Sequence, residues 1–454
     1  MFGQRKMMVF YTLLVTQTFS FIGSRMTGLA LSIWIFNETG AATPLLLVSF
    51  FSFVPRLLSA SLAGLLADRW NRRYVMMIAD AGQAVGTVLL LVSFASGSFQ
   101  IWHLYVVTFV QSIFDIFQGP AFQATVTMLI PDQHRNRANA IQMITSPLSG
   151  LIAPVITGTV YALIGVTGII VVDLVTFLVS VAALAVLPIP QPKAEAKSEE
   201  RRSIWREANA GFEFVWKRKP LLMIFVFTGC TNFFHAGVLA LYTPYILSRT
   251  GSEDILGILL GAFSLGSLVG TLGMAAWGGT KKRVQTMMPA IGIMGILMAI
   301  YGTQSVPILM AAFMFFMAMA SPINNVSIIS LLQLKVPPEL QGRVFAAISQ
   351  ISMILIPLSH LVIGPLADSV FEPFARTPSW GAFASAFGTG AGSGMGLLIT
   401  ICGAAIALIS FAIYSLPIVR NLEALLPDYK PDAEPPANVG VPETGSAGIA
   451  VEGA

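Results

Sequence analysis

GLLADRWNRR, residues 64–73, places four charged side chains, Asp68, Arg69, Arg72 and Arg73, within ten positions. On either side the charge disappears. The stretch 43–67 holds Arg56 alone, and 74–95 holds Asp80 alone. As a helix, each flank is long enough to cross the roughly 30 Å hydrocarbon core of a bilayer. Residues 64–73 therefore read as a tight turn between two membrane spans, its charges in the aqueous boundary. The same alternation continues outward and predicts an all-α membrane protein with twelve transmembrane helices. Their limits are 9–34, 43–67, 74–95, 101–128, 138–163, 166–187, 220–247, 255–277, 284–303, 306–334, 343–368 and 394–418.

Composition agrees. The 454 residues are 55% hydrophobic and 11% charged, against about 25% charged in a soluble domain, and mean hydropathy is +0.76. A net charge of +4, spread through short loops, is no nucleic-acid footprint. The two cysteines, Cys230 and Cys402, lie in apolar runs and suit neither a disulfide framework nor a metal site. Arg5 and Lys6 precede an apolar stretch without a small-residue cleavage site, so the start reads as the first span rather than a cleaved leader. No catalytic constellation, metal spacing or phosphate-binding glycine loop is present. An enzyme or a passive membrane scaffold is the weaker reading, and no cofactor is expected.

Lysine and arginine set the orientation. Of 26 in the chain, all fall on the side holding both termini except Arg249 and Arg376, on the other side, and Arg25 and Arg56, inside spans. By the positive-inside rule that side is the cytoplasm. Residues 188–219 interrupt the spans with prolines, mixed charge and an amphipathic stretch around Ile204, Trp205, Phe212 and Phe214. They predict a cytoplasmic linker with a surface-lying helix between a six-helix half, 1–187, and a second half, 220–426. The tail, 427–454, has the composition of a disordered segment. The halves echo one another: IPDQHRNRANA at 130–140 parallels VPPELQGRVFA at 336–346, and GLLADRWNRR has a fainter counterpart in AAWGGTKKR at 275–283, where Gly278 stands at the place of Asp68. Two related halves with substrate held between them are a known transporter plan.

The loop resembles the signature of the major facilitator superfamily, with Gly64, Asp68, Arg69, Arg72 and Arg73 matching. Asn71 stands where the family has glycine and is expected to keep the left-handed turn. LADRWNRR, RANAIQMITSPLSGLIAPVITG, LQLKVPPELQGRV and PLSHLVIGPLAD together resemble the twelve-helix drug-exporter branch that includes macrolide and enterobactin exporters. The resemblance implies secondary transport of small amphipathic compounds out of the cell, in the bacterial inner membrane, by a monomer in contact with membrane lipids. It implies proton antiport, with sodium left open as coupling ion. An uptake symporter or a lysophospholipid transporter of the same fold is the alternative. Ser149, Ala153, Pro154, Thr157 and Gly158 occupy the places of the exporter motif of the fifth helix, where small residues permit close packing. Many proton-coupled relatives have an arginine in the fourth helix; here Asp115 stands there without one.

Charges inside a bilayer are costly and mark function or pairing. Asp115, with Arg25 as its expected partner at matching depth, is the leading proton-coupling candidate, followed by Arg56 and His235. Asp80, Asp173 and His360 are expected to be structural. Gly64, Asp68, Arg69, Arg72, Arg73 and Arg343 are expected to form a conformational latch, with Asp68 set against the N-terminus of the eleventh helix. Helices one, four, seven and ten should line the substrate cavity with Gln17, Phe21, Gln111, Phe114, Gln118, Phe122, Asn232, Phe233, Phe234, Tyr242, Asn324 and Asn325, a weakly polar surface suited to loosely recognised ligands.

Overall fold

The computed structural model describes residues 2–69, 71–130, 135–188, 213–426 and 428–429; at 2–6, 59–69, 135–137 and a few positions of the fifth and eleventh helices it describes the backbone only. Among the described residues the chain is helical throughout, with no strand. The long helices are α1 (Phe2–Thr39), α2 (Thr43–Arg69), α3 (Arg72–Ala95), α4 (Ile101–Leu129), α5 (135–164), α6 (166–186), α7 (Lys219–Thr250), α8 (Glu253–Trp277), α9 (Arg283–Tyr301), α10 (Pro307–Lys335), α11 (Pro338–Leu366) and α12 (Ser393–Ser415). α5 and α6 run on without a loop. They are separated by Gly165, whose φ of 65° and ψ of −174° belong to a backbone region open essentially to glycine.

Nine helical stretches among the described residues have the length and apolarity of a span, one of them, Pro147–Val186, covering α5 and α6 together. α4 is 29 residues long but is not among the nine. Gln111, Asp115, Gln118 and Gln123 lower its hydropathy, and these are the residues that face the interior cavities described below. Large apolar side chains such as Leu163, Val186, Ile308 and Phe411 are at least 74% exposed, as a lipid-facing belt requires.

α1 packs on α5–α6, α2 and α3 on α4, α7 on α11, α8 and α9 on α10, and α9 on α12. Contacts between the first six helices and the last six run mainly through α5–α8 and α2–α11. The close approaches between them lie from mid-membrane to the face opposite the N-terminus: Gly150 beside Ser264, Gly158 beside Glu253, and Gly364 beside Thr43.

The stretch after α11 is folded. Trp380 is buried, donates from Nε1 to the Gly388 carbonyl (2.7 Å), and packs edge-on to Phe374 and tilted against Phe383 and Phe387. Arg249 ties this cap to α7 by donating to the Phe387 carbonyl (2.6 Å). At the other face the segment after α12 is pinned to α10. The nearly buried Lys335 ammonium reaches the Glu423 carbonyl (3.0 Å), the Leu426 carbonyl and the Asp428 carboxylate (2.8 Å), and the Tyr429 N–H bonds the Leu334 carbonyl (2.8 Å). Most of the expected linker and tail, including Ile204, Trp205 and Phe212, lies outside the described residues. Phe214 is described and buried, with the Arg218 guanidinium 3.6 Å over its ring.

Candidate functional site

Gln111, Asp115 and Gln118 follow one another at intervals of four and three along α4 and so share one helix face. That face looks inward. α2 lies beside α4, tied there by the Ser112 hydroxyl on the Ser52 carbonyl (2.5 Å). One residue beyond Pro55, Arg56 of α2 forms an ion pair with Asp115, and the two side chains are 49% and 39% exposed to the interior space. An ion pair this wet contributes on the order of 1 kcal/mol, so it can open and close without a large penalty.

Arg56, not Arg25, is therefore the partner of Asp115. The two depths matched, but depth along a helix says nothing about the direction a side chain takes around it. α1 sits against α5–α6, and there the Arg25 guanidinium lies 4.5 Å over the Phe21 ring. An added Cβ at Gly150 of α5 would stand 2.9 Å from its Nη1.

Asp80 sits at the centre of a network of amides. Fully buried, its carboxylate accepts from Gln17 Nε2 (3.0 Å), the Ser180 hydroxyl (3.0 Å) and Gln118 Nε2. Gln118 also donates to Gln17 Oε1 (3.0 Å) and accepts from Gln83 Nε2 (2.7 Å), while Gln111 donates to the Gln83 carbonyl (2.9 Å). One polar web thus joins α1, α3, α4 and α6. A buried carboxylate with three donors is satisfied without a cation. Asp173, equally buried, accepts from the Ser24 hydroxyl (3.2 Å), where Gly23 lets α1 and α6 meet closely.

Two connected cavities follow from this packing. The one nearer the N-terminal face, about 660 Å³, is walled by Gln17, Phe21, Arg25, Arg56, Asp115, Gln118, Phe122, Gln123 and Gln142. The other, about 540 Å³, lies between the halves and adds Asn232, His235 and His360 to Thr27, Phe53 and Asp173. Ser24, Ser52, Gln83, Thr108, Gln111 and Phe177 line both. Asn232 donates to the Ser352 carbonyl (3.2 Å), and His360, its Nδ1 without a partner, meets the Phe53 ring edge-on at 6.0 Å.

Other expected wall residues lie elsewhere. Tyr242 is 1% exposed, packed between Phe263 and Tyr301. Phe114 lies against Gly82 of α3, and Phe233 and Phe234 stack edge-on beside the α11 contact made by Ser359. Asn324 and Asn325 of α10 line neither of the two cavities. Reasoning from helices one, four, seven and ten left out Ser52, Gln83, Gln142 and Phe177 on α2, α3, α5 and α6. The two glutamines carried a usable signal, since each is an amide inside an apolar run.

The small residues of α5 form the seam between the halves. Ser149 and Thr157 are fully buried and bond back to their own helix at the Thr145 (2.8 Å) and Ala153 (2.7 Å) carbonyls. Pro154 and Gly158 face Gly257 and Glu253 of α8 with no room for a Cβ on either glycine. At the N-terminal face, the side chains of Gly64, Asp68 and Arg69 lie outside the described residues. Arg72 donates to the Ala124 carbonyl (2.9 Å), and Arg73 to the carbonyls of Leu184 (2.9 Å) and Ala185, at the ends of α4 and α6. Arg343 lies in the first turns of α11. Asn71 is not left-handed. At φ −61° and ψ 114° it is the N-cap of α3, its side chain accepting the Arg73 N–H (3.1 Å). Capping an orphan helix donor, which glycine cannot do with a side chain, decides its conformation.

A model of the Major Facilitator Superfamily matches residues 13–360. Macrolide efflux protein A of Streptococcus pyogenes is 25% identical over 365 residues, spanning 80% of this chain and 90% of that protein. Multidrug efflux pump Tap of Mycolicibacterium fortuitum is 25% identical over 357 residues, 76% of this chain and 86% of the pump. Among solved structures, a bacterial homologue of the human lysosomal transporter Spinster, inward-facing and occupied, superposes with a TM-score of 0.69 at 14% identity, over 93% of this chain and 98% of that one.

Proposed function

The chain belongs to the Major Facilitator Superfamily, and on that premise we propose that it exports small amphipathic compounds by proton antiport with alternating access. It is a multi-pass membrane transporter, not an enzyme. The observation that carries the reading is the half-exposed Asp115–Arg56 pair in the wall of a cavity that, Arg25 apart, is amide-rich and apolar. A carboxylate beside a cation favours the charged form, and one separated from it in a drier site favours the proton. Opening and closing of the cavity as the two halves rock wets and dries the wall that holds this pair, alternates Asp115 between these conditions and so couples proton movement to the cycle.

With the N-terminal face in the cytoplasm, as the lysine and arginine distribution places it, the halves touch on the outer side and the larger cavity serves the cytoplasm. The moving bodies are 1–187 and 220–426, joined by 188–219 and followed by 427–454, in a bacterial inner membrane and as a monomer. Amides, aromatic rings and aliphatic side chains suit a lipophilic, weakly polar substrate, in keeping with the named activities of the macrolide and multidrug efflux relatives. Arg25 faces the cavity with no carboxylate in ion-pair contact among the described residues, which favours, as a second reading, an acidic headgroup such as that of a lysophospholipid. The test is accumulation in bacteria stripped of other pumps. Expression should lower cell-associated macrolide and ethidium and restore both on collapse of the proton gradient. Unchanged accumulation of ethidium, macrolide and lysophospholipid alike refutes export.

A further inference from the structure

The ending of α2, Gly64-Leu65-Leu66-Ala67-Asp68, recurs at the end of α11 as Gly364-Pro365-Leu366-Ala367-Asp368. The two helices are packed together and run in opposite directions, and α11 ends beside the start of α2, where Gly364 meets Thr43. At the face opposite the N-terminus, Asp368 accepts hydrogen bonds from the Ala42 N–H (2.8 Å), the Thr43 N–H (2.7 Å) and the Thr43 hydroxyl (2.5 Å).

The donors of the first turn of α2 can be accounted for one by one. A helix start leaves N–H groups without partners and is usually capped by a Ser, Thr, Asp or Asn just before it. Here that position is Ala42, which has no acceptor to give. Pro44 has no N–H, and the Leu45 N–H bonds the Ala42 carbonyl (3.1 Å). The two donors left over, Ala42 and Thr43, both go to a carboxylate from the other half of the molecule. Negative charge there also meets the positive end of the helix dipole. Asp368 and Thr43 are partly buried, and Ala42, Leu46 and Ala367 around them are fully buried. The contact is close, since a Cβ on Gly364 would stand 3.0 Å from Thr43 Cα. Asp368 itself lies in a single π turn, Ala367–Phe371, that continues α11, a distortion that recurs at functional positions.

We propose that Asp368 is a gating residue of the transport cycle. α2 borrows its N-terminal cap from the opposite half, so the cap exists only while this face is closed, and opening the face breaks it. In the same proposal Asp68, at the same place in the matching ending and expected from the sequence to meet the start of α11, caps that helix when the other face closes. Each helix then ends in the carboxylate that caps its partner, and the two caps alternate. The inference rests on the alternating-access reading above.

The test uses the full chain in lipid nanodiscs, with Cys230 and Cys402 replaced by alanine and spin labels at Ser98→Cys and Ser305→Cys, in the α3–α4 and α9–α10 loops of this face. Pulsed electron–electron distance measurement gives the ratio of closed to open molecules. Asp368→Ala should move that ratio toward open by about tenfold, as expected for loss of bonds to a charged acceptor, and Thr43→Val, which removes one of the three bonds, by less. The decisive variant adds Ala42→Ser to Asp368→Ala and so gives α2 a cap of its own. On this account it restores thermal stability but leaves the ratio open. An unchanged ratio in folded Asp368→Ala, or full return of the closed ratio in the double variant, would make the contact a static cap and overturn the proposal. Should Asp368→Ala fail to fold, Asp368→Asn and Thr43→Val decide by the same ratio. If the unsubstituted gate shows one distance under every condition, with and without ethidium at pH 5 and pH 8, alternating access itself fails.

Discussion

Replacing Gly257 with alanine should shift the transporter between its two states without impairing its fold. The added Cβ would stand 2.5 Å from the Pro154 carbonyl oxygen, 3.2 Å from its carbonyl carbon and 3.3 Å from Gly158 Cα. All three are backbone atoms, so no side chain can turn aside. α5 and α8 must separate by about 1 Å to regain ordinary contact distance, and a gap of that size forfeits a quarter to a half of each dispersion contact along the seam. Overpacking of this kind costs about 1–3 kcal/mol. The cost falls only on the state in which the seam is closed, so the equilibrium should move by about 5- to 150-fold toward the state open at that face. A single cysteine at Thr108, which lines both cavities, reads this out as its labelling rate by a membrane-impermeant maleimide applied from outside. Gly295→Ala is the control: its Cβ would meet Ala407 N at 2.6 Å, between α9 and α12 of one half, so it should lower thermal stability and leave labelling unchanged. If Gly257→Ala lowers the melting temperature but not the protection of the cysteine, the seam is ordinary packing and the reasoning is refuted.

Two further outcomes follow from the same geometry. Asp80→Ala takes the acceptor of the fully buried Ser180 hydroxyl and one of the two acceptors of each of the Gln17 and Gln118 amides, at about 1–3 kcal/mol for a buried group left unpaired; a melting temperature equal to wild type in detergent would contradict the network. Lys335→Met removes the ammonium that gathers the Glu423 and Leu426 carbonyls and Asp428, so hydrogen exchange in 417–429 should accelerate while flux is retained.

The spans were legible because membrane burial is written in composition: long apolar runs, with charge confined to the turns. The small residues of α5 announced a close helix contact, and Gly257 and Ser264 of α8 are what they contact. What was not legible depends on rotation about helix axes and on neighbours distant in sequence. Asp115 was legible as a charge that needs a partner, but the choice between Arg25 and Arg56 is made by α2 lying on α4. Tyr242 has the polar–aromatic character of a cavity residue and is turned instead into the core of the second half. Gln83 and Gln142 were passed over because the cavity was assigned to four helices, whereas α2, α3, α5 and α6 also reach it. Asn71 was read through its tolerance of left-handed backbone when its capping oxygen was the property in use.

The central claim is that Asp115 couples proton movement to export, and flux in proteoliposomes under an imposed pH gradient tests it most directly. With ethidium, a macrolide, a catecholate siderophore and a labelled lysophospholipid as the panel, at least one compound should move against its own gradient when the pH gradient is applied. Asp115→Asn, reconstituted to the same level, should lose that gradient-driven movement. Flux indifferent to the pH gradient, or undiminished in Asp115→Asn, would contradict the account and reduce the Asp115–Arg56 pair to a packing contact.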